Sequence, residues 1–353
     1  MIDRSFWAEQ RVLLTGHTGF KGSWASLWLE SLGTEVAGYA LAPDQSPSLF
    51  DRLAPFQNAS STIADLADHA SLRRLAESFR PTLLLHMAAQ PLVRRSYSDP
   101  SATFATNVQG TVNVLEAVRD IAGLKAALVV TTDKVYRNNE NGQPFGESDP
   151  LGGHDPYSAS KAAAELVVAT YRDSFFVKRG IALATARAGN VIGGGDWSED
   201  RLVPDVWRAL RDRVPITLRY PHATRPWQHV LESISGYFLY LQQLAGGEPS
   251  LPSALNFGPA DATDSFSVAD VVDLLHDDLT SASGWLQAEG EFPIEMTSLA
   301  LDSSLAIRTL GWKPRLTTLQ ALEWTADWYR RYDGGEDPRA LSLGQLDTYE
   351  AQR

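Results

Sequence analysis

Arg11-Val-Leu-Leu-Thr-Gly16-His-Thr-Gly19-Phe-Lys-Gly22-Ser-Trp24 decides the fold. Arg11 to Gly16 is a short apolar run ending in a glycine. From Lys21 to Gly33, Trp24, Leu27, Trp28 and Leu32 recur at helical spacing. Gly16, Gly19 and Gly22 therefore lie between a strand and a helix. Glycines there permit a tight turn and let backbone N–H groups approach a diphosphate at a helix N-terminus. Three glycines alone are a weak signal; the strand before and the helix after make it a dinucleotide-binding loop.

Outward from this loop, strand-like and helix-like segments alternate. Thr34–Leu41, Ser61–Asp68, Pro81–Ala89 and Ala126–Thr132 read as strands; 69–79 and 103–121 read as helices. Such alternation predicts an α/β fold, a doubly wound parallel sheet covered on both faces, with ligands at the carboxyl ends of the strands. After residue 185 the elements shorten. We expect a Rossmann-type domain over 1–185 and a smaller C-terminal substrate domain over 186–340, with some segments returning to the first. A weakly structured tail is expected over 341–353. Residues 229–247 predict an amphipathic helix.

The composition bounds the class. The chain has 353 residues, 44% hydrophobic and 21% charged, with no cysteine. Disulfides and thiolate chemistry are excluded. No apolar run is long enough to span a bilayer, and the first residues are too polar for a signal peptide. A cytoplasmic location is the default. The net charge of −12 argues against nucleic acid and anionic membrane as partners. An anionic small molecule requires a local convergence of arginines, for which Arg187, Arg201, Arg219 and Arg225 are candidates.

The strand following the glycine loop ends without the acidic residue that often binds the ribose diol. No arginine or lysine lies between Lys21 and Arg52 to grip a 2′-phosphate, which favours NAD. Asp65 is a candidate for the adenine amine, or simply a turn residue.

Of the 11 tyrosines, only Tyr157 has a lysine four residues later, Lys161. Four residues apart on a helix share a face, and the lysine charge favours a phenolate usable as a general base. Thr132-Asp133-Lys134 follows a strand. Adjacent acid and amine suit an elimination, provided the chain has left the strand at Thr132, because strand neighbours point to opposite faces.

The stretches GHTGFKGSW, HMAAQPLVRRSY, NVQGTVNVLEA, TTDKVY, GGHDPYSASKAAAEL, ARAGNVIGGGDW and ATRPWQHVLE carry a resemblance. The chain resembles the extended short-chain dehydrogenase/reductases and, among them, the CDP-glucose 4,6-dehydratase group. That resemblance implies NAD as cofactor, no metal, CDP-glucose as substrate, and a homodimer or tetramer. It implies Thr132, Asp133, Lys134, Tyr157 and Lys161 as catalytic residues. Gly16, Gly19, Phe20, Gly22, Asp65, Leu66, Ala88, Tyr157 and Lys161 are implied at the cofactor. Gln90, Arg94, Asn190, Arg201, Leu202, Arg225 and Asn256 are implied at the substrate. Asn107 is expected to be structural or a relay. Asp133 is assigned as acid and Lys134 as base, although the reverse is physically open. The competing readings are a nucleotide-sugar 4-epimerase, a dehydratase of another nucleoside diphosphate sugar, and a non-catalytic NAD-binding protein.

Overall fold

The computed structural model describes all residues except 55, 139–141, 249, 260–265, 279–283, 291, 293–298 and 353, and the side chains of 276–278. Its centre is a parallel sheet of seven strands: β1 (Arg11–Thr15), β2 (Glu35–Ala40), β3 (Ala59–Ile63), β4 (Leu83–His86), β5 (Ala126–Val130), β6 (Ala182–Ala188) and β7 (Ala254–Phe257). They lie in the order β7-β6-β5-β4-β1-β2-β3. The winding reverses between β1 and β4, so a crevice opens at their carboxyl ends.

Alternation along the strands fills two cores. Val12, Leu14, Leu83, Leu85, Ala126 and Leu128 point to one side; Leu13, Leu84, Ala127 and Val129 point to the other. The longer helices are α1 (Phe20–Ser31), α2 (His69–Phe79), α3 (Gly110–Val118), α4 (Pro156–Tyr171), α5 (Leu202–Asp212), α6 (Val230–Ala245), α7 (Val268–Asp278), α8 (Thr318–Asp333) and α9 (Pro338–Ala351). Helix α2, capped by the Asp68 carboxylate, buries Leu72, Ala76 and Phe79 in the second core.

The long late helix differs from expectation. Residues of α6 are buried nearly all round, including Glu232, Ser233 and Ser235. It is covered by β5 and β6, by α1 and Trp7, and by C-terminal segments.

The expected weak tail is also corrected. Asp337 caps α9 at Pro338, and Leu341, Leu346 and Tyr349 are buried in the main core. Trp28 Nε1 donates to Glu350 at 2.9 Å, and Arg339 pairs with Glu30 at 2.6 Å, both on α1. Polar residues occupy the outer face of α9 and mask three widely spaced apolar ones.

Beyond β6 lie short ladders, one of them completed by a strand after β7. Val191–Ile192 pairs with Gln228–His229, and Thr224–Arg225 pairs with Phe266–Ser267. These fix Asn190 and Arg225 beyond the end of β6. Among the described residues, no helix is long and apolar enough to cross a membrane.

Candidate active site

The glycine loop leaves β1 with Gly16 at φ 78°, a conformation that L side chains rarely adopt. A Cβ at Gly16 would lie 2.7 Å from the Ala88 nitrogen beyond β4, and one at Gly22 would lie 2.0 Å from the Gly16 carbonyl oxygen. The loop thus nests across the sheet's switch point. Gly19 is different: the nearest atom to a Cβ there is 3.5 Å away. It is the N-cap of α1, and no side chain caps that helix. The first-turn N–H groups are left for an anion, and the cradle fits the diphosphate of a dinucleotide. Phe20 is the first residue of α1. Leu66 is buried against Gly110, where a Cβ would approach it to 2.9 Å. Asp65 is exposed and holds its own turn, accepting from the Ala67 N–H at 2.8 Å. Where a ribose-binding acid is absent, the His17 ring covers Gly38 and hydrogen-bonds Ser61 at 2.7 Å.

The chain does leave the strand at Thr132. Thr131 N–H still pairs with the Ala186 carbonyl at 2.8 Å, and residues 133–135 then form a 3-10 turn. Thr132 Oγ1 donates to Asp133 Oδ1 at 2.8 Å. Asp133 is 1% exposed. Its Oδ2 is buried without a hydrogen-bond partner. Burial raises the Asp133 pKa, opposed by Lys134, the Thr132 hydroxyl, Arg225 and Lys21. A carboxyl in that state can keep a proton and serve as an acid.

Helix α4 starts at Pro156, with Asp155 capping Ser158 at 2.9 Å. This brings Tyr157 and Lys161 to the end of β5, where Lys161 Nζ donates to the Val130 carbonyl at 3.0 Å. Burial lowers Lys161 to about 8, against the pull of Glu165. Burial pushes Tyr157 up to about 12, opposed by the Thr132 hydroxyl. The charge that lowers it is that of Arg201, not the expected Lys161, and burial outweighs it. Asn107 proves to be a brace. A π-turn over Ala105–Gln109 aims it at the neighbouring loop, where Oδ1 accepts from Gln90 N–H at 2.8 Å. Its Nδ2 donates to Ser160 Oγ at 2.9 Å, clamping that loop to α4.

The substrate-side residues separate into two groups. Arg225 is buried, donates to the Thr224 carbonyl at 2.8 Å and acts electrostatically on Asp133. Arg201 precedes α5, whose first residue is Leu202, and its guanidinium acts on Tyr157. Arg94 forms an ion pair with Asp200 beside it. Asn190 is partly exposed, its carbonyl accepting from Gln228 N–H at 3.1 Å.

Asn256 does not belong with them. It is fully buried; Nδ2 donates to the Phe145 and Asp302 carbonyls at 2.9 and 3.2 Å, and Oδ1 accepts from Tyr136 at 2.7 Å. No phosphate can reach it. Gln90 spends its amide on its own loop, donating to Leu92 O and Thr103 Oγ1 and accepting from Leu92 N–H. Arg187 is no part of a cationic pocket: it is buried in an ion pair with Glu165 at 2.8 Å.

Sequence reasoning missed Lys21. Its amine reaches the Tyr237 hydroxyl at 3.1 Å. Burial lowers it to about 7, helped by the charges of Arg201 and Lys161 and opposed by Asp133. A lysine in the first turn of the helix that follows the glycine loop was the available signal. Glu165, one turn beyond Lys161 on the same face, was another.

Fold and site define a nucleotide-cofactor enzyme, with Tyr157, Lys161 and the buried Asp133 gathered at the end of β5. The sequence profile of the NAD dependent epimerase/dehydratase family matches residues 12–258, and the chain belongs to that family. Its cofactor is NAD. The chain is 43% identical to a CDP-glucose 4,6-dehydratase of Salmonella typhimurium, over 99% of this chain and 98% of that one. It is also similar to the solved dTDP-glucose 4,6-dehydratase of Streptomyces venezuelae with NAD bound, at 25% identity and a TM-score of 0.78, covering 93% and 99% of the two chains. The Thermus thermophilus UDP-glucose 4-epimerase complex with NAD matches with 26% identity and a TM-score of 0.79, covering 91% and 99%.

Proposed function

We propose that this chain removes water from CDP-glucose to give CDP-4-dehydro-6-deoxyglucose. The 43% identity to a CDP-glucose 4,6-dehydratase over nearly the whole of both chains supports the reading most directly. The buried Asp133, with Lys134 next to it and Tyr157 beyond Thr132, supports elimination over simple epimerisation, which has no use for an acid at O6.

The glycine loop from Gly16 to Gly22, with Lys161, would hold NAD, which would supply the acceptor for hydrogen leaving C4 and the donor of hydrogen to C6. The protein's residues do the rest. Tyr157, as phenolate, takes the O4 proton while Thr132 hydrogen-bonds that oxygen. Lys161 holds its positive charge nearby. With C4 a ketone, the C5 proton becomes acidic, and Lys134 in its neutral form removes it. Asp133 gives its proton to O6, which departs as water. The diphosphate is held by Arg225 and Arg201, whose planar forks match phosphate oxygens, with Arg94, Asn190 and Leu202 closer to the nucleoside and sugar.

We place the enzyme in the cytoplasm, as a homodimer or a tetramer. Phe104, Leu166, Phe175 and Val177 are exposed apolar residues on the helices near and including α4, a face suited to covering by a second copy.

The test is incubation of the purified protein with CDP-, dTDP-, UDP- and GDP-glucose, followed by mass detection of water loss. Loss from the CDP sugar ahead of the others is expected. Turnover confined to another nucleotide, or an epimer of unchanged mass, overturns the assignment.

A further inference from the structure

The turn that carries Asp133 and Lys134 is loosely bonded within itself. Residues 133–135 form a single 3-10 turn. The Lys134 N–H reaches Thr132 Oγ1 at 3.4 Å, and the Val135 N–H reaches the Thr132 carbonyl at 3.4 Å. A turn of that kind leaves the direction of its side chains to be set from outside. Both of its ends are tied to one buried ion pair.

Glu165 of α4 and Arg187 of β6 meet through two bonds: Arg187 Nε donates to Oε1 at 3.0 Å and Nη2 to Oε2 at 2.8 Å. Before the turn, Thr131 Oγ1 donates to Glu165 Oε1. After it, the Tyr136 hydroxyl accepts from Arg187 Nη1 at 2.9 Å and gives its proton to Asn256 Oδ1 at 2.7 Å. That direction is fixed, because a guanidinium only donates and because Asn256 Nδ2 already donates to the Phe145 and Asp302 carbonyls. Arg187 and Asn256 are partners in register on β6 and β7, so Tyr136 reaches both strands. Its ring stacks on Phe145, with centroids 4.9 Å apart. Thr131, Tyr136, Glu165, Arg187 and Asn256 are all buried, so water does not compete for these bonds.

We propose that Thr131 and Tyr136 are positioning residues for the elimination, the two jaws of a clamp that holds the Asp133–Lys134 turn against the helix carrying Tyr157 and Lys161. This rests on the dehydratase reading above. Glu165 stands one turn beyond Lys161 and two beyond Tyr157 on α4, so the oxidising pair and the eliminating pair are both placed from one carboxylate. The oxidising side has supports of its own. Asp155 caps α4, and Lys161 is tied to the Val130 carbonyl. Thr131 also keeps its main-chain bond to Ala186. Loosening the clamp therefore displaces Asp133 and Lys134 from O6 and C5 while the groups at C4 stay in place. A displacement of about 1 Å is enough to slow a positioned step by roughly 10²-fold.

The test separates two steps of a single turnover. Enzyme loaded with NAD is mixed with CDP-glucose. Near-ultraviolet absorbance of the reduced cofactor follows C4 oxidation, and mass detection in quenched samples follows water loss. Tyr136→Phe keeps the ring and its stack on Phe145 and removes the hydroxyl. Thr131→Val keeps the shape and opens the other jaw. Each is expected to oxidise C4 near the unaltered rate, to lose water roughly 10–10²-fold more slowly, and to hold reduced cofactor in the interval. Thr131→Ser restores the hydroxyl and is expected to behave as the unaltered chain. A purely structural role would slow both steps together or neither. Either of those results in a folded variant overturns the clamp, as does the same split in Thr131→Ser. If Tyr136→Phe does not fold, Thr131→Val and Thr131→Ser decide by the same criteria; loss of fold in both Tyr136→Phe and Thr131→Val, by circular dichroism, assigns the hydroxyls to stability and overturns it too. The unaltered enzyme is assayed first: no water loss from CDP-glucose sinks the dehydratase reading, whereas water loss unchanged in the variants sinks the clamp alone.

Discussion

Lys161 donates to the carbonyl of Val130 across 3.0 Å, tying the helix that carries Tyr157 to the strand that delivers Thr132. One main-chain acceptor thus sets the spacing between the proton-accepting phenol and the residues that follow Val130. The same lysine is held at about 8 by burial, against the opposing charge of Glu165.

That value fixes a pH response. Below about 8 Lys161 carries its charge and supports a phenolate at Tyr157; above it the charge, and with it that support, is lost. The value of kcat/KM should therefore fall on the alkaline side, by about tenfold per pH unit beyond the limb. Lys161→Arg keeps the charge at high pH and should remove the limb while lowering the plateau. An alkaline limb unchanged in Lys161→Arg would assign it to another group. Tyr157→Phe should retain NAD binding by tryptophan quenching and lose roughly 10²–10⁴-fold in turnover.

Asp133 and Lys134 should fail at different steps. Asp133→Asn keeps C4 oxidation but lacks the proton for O6, so reduced cofactor should accumulate by its near-ultraviolet absorbance while water loss slows by roughly 10²-fold or more. Lys134→Ala should abolish uptake of solvent deuterium at C5. Wild-type rates of water loss in both variants would remove these residues from the mechanism.

Glu165 and Arg187 make a buried ion pair, 4% and 5% exposed at their side chains, so removing one partner strands the other. Glu165→Gln should cost roughly 3–5 kcal/mol in urea unfolding. Glu165 also holds Lys161 upward, so the alkaline limb should move to lower pH in the same variant. A stability loss with a fixed limb would limit Glu165 to packing.

What was legible in the sequence was local. Gly16, Gly19 and Gly22, the pair Tyr157 and Lys161, and the step off the strand at Thr132 each depend on neighbours within a turn or two. Asn256 and Arg187 could not be read the same way. Asn256 meets Tyr136, 120 positions away, and Arg187 meets Tyr136, 51 positions away. A polar residue after a strand looks the same whether it faces a phosphate or a buried tyrosine. Lys21 lay in plain view, but its direction depended on Tyr237 in α6. For the tail, Asp337-Pro338 was a helix-start signal that outweighs the polar composition after it.

The C-terminal helix α9 supplies the last test, since its role follows from one hydroxyl. Tyr349 reaches Glu232 Oε2 at 2.8 Å, while Oε1 of the same carboxylate accepts from Arg315 and Leu316 N–H at 2.8 and 2.7 Å. Glu232 is thereby satisfied in the first turn of α6, with Tyr349 as the far end of the network. Tyr349→Phe preserves the ring and its edge contact with Trp28 but leaves Oε2 short of a donor. We expect a loss of about 1–3 kcal/mol in urea unfolding, the cost of an unsatisfied buried acceptor. Tyr349→Ala also opens a cavity and should lose roughly 3–5 kcal/mol. Because α9 packs on α1, whose N-terminus fits the cofactor's diphosphate, NAD should stabilise both variants by mass action, visible as an NAD-dependent rise in Tm. Phe and Ala variants as stable as the unaltered chain would mean that α9 is an appendage, and that Glu232 finds its partners without it.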